Sequence, residues 1–150
     1  MRPIRRILFP TDFSEYADDA WPYATRFGRD FGAELHVLHV LTQVPGVYTD
    51  GLAYGPKDLA DHMQAEARHA LERLVDEAKQ LGLAASASVR SGVAFQEILD
   101  YAHAQAIDLI VMATHGRTGL AHALLGSVTE RVVRRAPCPV LTVRHPAMRV

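Results

Sequence analysis

The sequence predicts an α/β fold: a single domain built on an open, parallel, five-stranded sheet with helices on both faces. Three observations lead there. Short apolar runs of strand length alternate with amphipathic stretches of helical period, the pattern of successive βαβ units. The clearest run, Ile107 with Leu109, Ile110, Val111 and Met112, is apolar on both sides, as a strand covered on both faces requires. It leads into a polar glycine loop, His115-Gly116-Arg117-Thr118-Gly119, and then to Gly126-Ser127 at the start of a helical pattern through Val128, Val132 and Val133.

Taken in order, Arg5 to Pro10 reads as the first strand, stopped by the proline. Thr11-Asp12-Phe13-Ser14 then turns into a helix capped by Ser14. That helix is expected to reach about Gly32, with Ala17, Ala20, Trp21, Ala24, Phe27 and Phe31 on one face. Pro22 lies inside it, lacks an amide donor and crowds the carbonyl four residues back, which predicts a kink between Asp18 and Pro22. Glu34 to Val40 is the second strand. The polar, glycine-bearing stretch from Thr42 to Gly55 is too long for a simple turn and is expected to be a mobile loop or lid.

Pro56 opens a long helix with a stripe of Leu59, Met63, Ala67, Ala70, Leu71, Leu74 and Ala78, ended by Gly82. A weak strand from Ala84 to Arg90 is expected at a sheet edge, followed by a third helix carrying Phe95, Ile98, Leu99 and Ala102. The fourth strand ends near Thr114. Pro139 to Val143 is the fifth, with prolines where a ladder donor can be spared, and its Val140, Leu141 and Val143 offer an apolar seam for a dimer.

Composition narrows the function classes. The 150 residues, 49% of them apolar, suffice for one core, and no Pro/Gly/Ser-rich linker divides them, so the domain is expected to span 1–150. A net charge of −1, from 16 basic and 17 acidic residues, provides no general field for nucleic acid or an anionic membrane; any anion site must be local. The basic N-terminus is followed by only Ile7-Leu8-Phe9 before polar residues resume, unlike a signal peptide. No segment approaches the roughly 20 apolar residues that span a bilayer. Cys138 stands alone, without a partner for a disulfide or a CxxC motif. A soluble, cytoplasmic protein is expected.

Open parallel sheets bind ligands at the carboxyl ends of their strands, where strand order reverses. If the first and fourth strands are neighbours there, Pro10-Thr11-Asp12 faces the glycine loop across one crevice. A carboxylate on one wall can accept ribose hydroxyls. Free amides and the positive end of a helix on the other can hold phosphates. Each residue also has a plainer role: Asp12 as a turn former, Gly116 and Gly119 as turn glycines, Ser127 as a helix cap, and Arg117 as a solvated side chain. His115 and His122 read as structural or exposed rather than metal ligands. His36 and His39, three apart in a strand, point to opposite faces and cannot share a metal. Cys138 reads as a small buried or edge residue.

No GxxxxGK[ST] phosphate loop and no paired general base are present, so no catalytic residue is assigned and ATP hydrolysis would be slow at most. A dinucleotide-binding domain would carry GxGxxG after the first strand, where Pro10-Thr11-Asp12-Phe13 stands. A phosphoacceptor response regulator would need more acids around Asp12 and an aspartate where Arg90-Ser91-Gly92 stands.

The opening ILFPTDFSE, the LHVLHV of the second strand, the loop from Gly116 through nine residues to Gly126-Ser127, and the closing APCPVLTVR resemble the universal stress proteins across nearly the whole chain. The nucleotide-binding members of that family carry a glycine, two residues, a second glycine, nine residues, then glycine and serine or threonine. The resemblance implies a Rossmann-like sheet of the adenine nucleotide alpha hydrolase type, with strand order 3-2-1-4-5. It implies adenine and ribose beside Pro10, Thr11, Asp12 and Val40. Phosphates would lie on Gly116, Arg117, Gly126, Ser127, Val128 and Thr129, above a floor of Met112 and Ala113. The ligand implied is ATP, or AMP or ADP, with Mg²⁺, in a dimeric stress-response regulator joined through the last strand. A slow ATPase, or a member without nucleotide acting through protein contacts, is the alternative. Ala113 stands where the family has its first glycine; a positive φ there would cost about 1–2 kcal/mol, whereas an extended backbone would cost nothing.

Overall fold

The computed structural model describes residues 1–42, 56–117 and 125–148. Most of the stretch from Thr42 to Gly55, and Gly119 and His122, fall outside the described residues. Strands and helices alternate: β1 (Arg6–Pro10), α1 (Glu15–Phe31), β2 (Glu34–Leu41), α2 (Pro56–Gln80), β3 (Ala85–Ser91), α3 (Ala94–Ala104), β4 (Leu109–Ala113), α4 (Ser127–Arg135) and β5 (Val140–Val143), with a closing 3₁₀ turn at Pro146–Met148. All strand pairs are parallel, in the order β3-β2-β1-β4-β5. The expected order is therefore the observed one, with the weak strand at an edge.

β1 lies at the centre, where Ile7 sits beside Leu35 and Leu109, and Leu8 beside His36 and Ile110. Because successive side chains alternate, each central strand feeds two cores. On one face Ile7, Phe9, Leu35, Val37 and Val111 meet Ala20, Trp21 and Ala24 of α1 and Leu71, Val75 and Ala78 of α2. On the other, Leu8, Leu38, Ile110 and Met112 meet Phe95, Ile98 and Tyr101 of α3 and Val132 of α4. Cys138 is half-buried against this second core, and burial pushes its thiol up to about 11.

Ser14 caps α1 as expected, its hydroxyl accepting from the Ala17 amide at 3.3 Å, and Gly32 ends the helix at φ +61°. Pro22, where a kink was expected, does not interrupt the helix. It lies on the exposed side, as does Asp18, whose carbonyl loses its donor there and can turn to water. The Thr25 hydroxyl adds bonds to the Trp21 and Pro22 carbonyls, both at 3.1 Å. The expected apolar faces run past the core they serve. Phe31 is exposed and stacks on Phe27, and Leu59, Met63 and Val133 are also exposed. For α2 the reason is length: its 25 residues span ~37 Å at 1.5 Å each, while β2 with 8 residues spans ~27 Å, so the first turns overhang the sheet. No described helix is long and apolar enough to cross a membrane.

His36 is a polar group within the second core. Its Nδ1 lies 2.8 Å from the Tyr101 hydroxyl, and its buried Nε2 has no hydrogen-bond partner among the described residues, with Glu34 Oε2 at 3.6 Å. Burial lowers its pKa below 6.5, against the pull of Glu34.

Two outcomes follow for stability. Leu71→Ala should cost about 2–5 kcal/mol in urea titration, and Leu59→Ala no more than about 0.5 kcal/mol, because only Leu71 is enclosed. Since the unfolded chain takes up protons near 6.5 before folded His36 does, stability should fall as pH drops through and below 6.5. The urea midpoint should shift less with pH in His36→Asn; an unchanged pH dependence would remove His36 as its source.

Candidate functional site

At the carboxyl ends of β1, β2 and β4 the sheet opens into a crevice of about 480 Å³. One wall grows from the end of β1. The Thr11 amide donates to the Leu38 carbonyl at 2.8 Å, holding the turn to β2. Thr11 Oγ1 then accepts from the Phe13 amide, and Asp12 Oδ1 from the Ser14 amide, both at 3.0 Å. These two short-range bonds hold Phe13 at φ +61°, a left-handed conformation costing roughly 1–2 kcal/mol for a residue with a Cβ. Its ring lies against His39, with centroids 4.5 Å apart.

The facing wall grows from β4 and the start of α4. The Thr114 amide bonds the Val143 carbonyl at 2.9 Å, and the Gly126 amide bonds the Thr114 carbonyl at 2.7 Å, folding α4 back over the strand. The Thr129 hydroxyl donates to the Ala113 carbonyl at 2.9 Å. α4 starts at Ser127 with Gly126 as its cap residue, which has no side chain to occupy the first amides. Ser127 is thus the first helical residue and not the cap.

Asp12 and Arg117 join the walls. The Arg117 amide donates to Asp12 Oδ2 and its Nε to the Asp12 carbonyl, each at 2.8 Å. Arg117 is exposed, as the sequence suggested, but it is hydrogen-bonded to the opposite wall. The glycines are needed here for room. A Cβ on Gly116 would lie 2.5 Å from Asp12 Oδ2, and one on Gly126 would lie 3.2 Å from the Thr114 carbonyl; neither residue has a positive φ. Ala113 closes β4 in register with Val143, and among the described non-glycine residues only Phe13 and Ala106 have positive φ. The backbone cost considered for alanine at this position does not arise.

All twelve residues assigned to the site from sequence line this crevice: Pro10, Thr11 and Asp12; Val40; Met112 and Ala113; Gly116 and Arg117; and Gly126, Ser127, Val128 and Thr129. Sequence reasoning missed Leu38, His39 and Leu41 on β2, Met63 on α2, and Ala94 and Ile98 on α3. Ile98 had been read as core only. At a strand's end both faces border the cavity, so Val40, which the resemblance implied, is joined there by its neighbours Leu38, His39 and Leu41.

His36 and His39 do point to opposite faces, one to Tyr101 and the other to Thr11 and Phe13. Burial lowers the pKa of His39; the Thr11 carbonyl and Asp12 oppose this, and Arg117 adds to it. His115 is buried, with Nδ1 3.0 Å from Thr114 Oγ1, and no group of three or more potential metal ligands forms among the described residues. The arrangement presents backbone donors opposite a carboxylate, above an apolar floor. It is equipped to bind a polyoxygen anion attached to a flat, largely apolar body.

The family model described as "Universal stress protein family" matches residues 3–144. A universal stress protein of Methanocaldococcus jannaschii is 37% identical over 144 residues, covering 95% of this chain and 83% of its own. The solved structure of another protein from that organism matches with a TM-score of 0.84 at 31% identity, covering 96% and 98% of the two chains. A universal stress protein from Arabidopsis thaliana, solved with AMP bound, shares the fold at a TM-score of 0.66 and 20% identity, over 95% of this chain and 93% of that one.

Two substitutions separate room from strain. Gly116→Ala should destabilise by about 1–3 kcal/mol, because its Cβ displaces the Asp12 carboxylate. Ala113→Gly should lose about 0.5–1 kcal/mol, the entropic cost of glycine in a strand. Were the glycine variant instead more stable in urea, Ala113 would have to be strained.

Proposed function

This chain belongs to the universal stress protein family, and from that membership and the crevice we propose that it binds an adenine nucleotide at the carboxyl ends of β1 and β4. The observation that carries the reading is the meeting of the uncapped start of α4 with the Asp12 carboxylate across one cavity. Phosphates take the amides of Ser127, Val128 and Thr129, where the helix dipole is positive. Ribose hydroxyls donate to Asp12, whose oxygens keep lone pairs beyond those bonded to the Ser14 and Arg117 amides. The base lies by Val40 and Met112. A volume of about 480 Å³ falls within the usual range for small-ligand sites, and the Arabidopsis relative was solved with AMP.

ATP with Mg²⁺ is the fullest form of this ligand, with AMP and ADP as shorter forms. A Mg²⁺ ion would rest mainly on the nucleotide's own phosphates, in keeping with its preference for phosphate and water oxygens. Binding alone provides a signal: nucleotide joins the two walls, and in a cytoplasmic dimer paired through Val140, Leu141 and Val143 of the half-buried edge strand β5 the change passes to the partner. No covalent step is needed.

Freshly purified protein, denatured and analysed by chromatography and mass, should release near-stoichiometric adenine nucleotide. Gly126→Val should remain folded yet lose affinity by at least about tenfold, since its side chain crowds the Thr114 carbonyl and the phosphate position. A parent that is empty and binds neither added AMP nor Mg-ATP would falsify the proposal.

A further inference from the structure

We propose that Arg131 reads the length of the phosphate chain: its guanidinium takes the terminal phosphate of a nucleoside triphosphate, in a groove that continues the crevice past the start of α4. The inference rests on the nucleotide reading of the same crevice. It goes further by giving one side chain the preference for a triphosphate over a monophosphate.

The groove is a second cavity, of about 440 Å³. It shares Thr42, Ala94, Ser127 and Val128 with the crevice and adds Phe95 and Arg131 to them. The two cavities therefore meet at the first turn of α4, where the phosphates are placed. Arg131 is the one charged side chain among the described residues that line the groove. A monophosphate ends at the amides of Ser127, Val128 and Thr129, and two further phosphates carry the chain on into the groove.

Helix geometry aims the arginine at that junction. Arg131 follows Ser127 by four residues and Val128 by three, so the three share one face of α4, about one turn of 5.4 Å apart along its axis. Side chains on a helix lean toward its N-terminus, so the long arginine stem runs back toward Ser127. The guanidinium carbon lies 4.9 Å from the centroid of the Phe95 ring, and that ring is buried in the second core. Laid over a fixed ring, the guanidinium keeps the N–H donors of its edge for a ligand, and their planar fork matches two oxygens of one phosphate.

The protein leaves this charge unmatched. Glu130, the acid in the first turn of α4, pairs with Arg134 at 3.0 Å, and Glu97, the acid in the first turn of α3, pairs with Arg90 at 3.6 Å. Among the described residues Arg131 forms no ion pair or hydrogen bond of its own; its one contact of this kind is with the Phe95 ring. With a net charge of −1 on the whole chain, this local cation and not a general field is what a terminal phosphate meets. Arg135, one turn further on, lies over the same ring at 5.6 Å but does not line the groove. It carries the same charge on the same platform and serves as the control.

The test measures AMP and ATP affinities by calorimetry, with Mg²⁺ in every titration. The parent should bind ATP more tightly than AMP. Arg131→Gln, which keeps a polar side chain without the charge, should lower the ATP-over-AMP ratio about tenfold while AMP affinity stays within about twofold of the parent's. Arg135→Gln should leave the ratio within about twofold. An unaltered ratio in Arg131→Gln overturns the inference, as does a parent that binds AMP as tightly as ATP. An equal fall in Arg135→Gln also overturns it, since diffuse charge would then replace a contact. Should Arg131→Gln not fold, Arg131→Ala puts the same question with the same outcomes. Failure of the parent to bind either nucleotide removes the nucleotide reading and this inference together; nucleotide binding with an unaltered ratio removes only this one.

Discussion

The carboxylate of Asp12 is shared between its own turn and the opposite wall of the crevice. One oxygen holds the Ser14 amide and the other the Arg117 amide, across 105 positions of sequence. Hydrogen bonds to a charged group contribute about 1.5–3 kcal/mol each, so this side chain ties the switch point of the sheet more firmly than a neutral turn residue could. The arrangement dictates its neighbours. Gly116 must lack a Cβ because the carboxylate occupies that space, and the Arg117 guanidinium is drawn back to the Asp12 carbonyl by the same approach.

The spacing of glycines reflects packing more than backbone freedom. At Gly126 the constraint is the Thr114 carbonyl, brought close so that α4 can begin directly above β4. Ala113 needs neither kind of allowance. It is an ordinary strand residue whose carbonyl receives the Thr129 hydroxyl, and its methyl lies within a strand that is buried throughout. The strain in this site lies elsewhere, at Phe13.

Much of this was legible in the sequence because burial on two faces leaves a strong imprint. β4 reads as LIVMA without a polar residue, and the ILFP of β1 is similarly plain. Ser14 and Gly32 announced the ends of α1 through their capping chemistry. Other features left no such mark. Nothing local separates enclosed Leu71 from exposed Leu59, since the distinction depends on where the sheet stops beneath α2. The positive φ of Phe13 is imposed by side-chain bonds from Thr11 and Asp12, and a phenylalanine gives no hint of it. His39 was assigned a face but not a partner, because Thr11 meets it only after β1 and β2 pair.

The central position of β1 has a consequence for biosynthesis. Of the five strands it leaves the ribosome before the others, and β2 can cover one of its edges soon afterwards, yet β4, which covers the other, begins only at Leu109. Until β4 emerges the nascent chain therefore carries an apolar strand with an open hydrogen-bonding edge, the kind of surface that invites pairing with other chains. The hazard ends only when β4 arrives, and with it Arg117, the residue that closes the crevice onto Asp12.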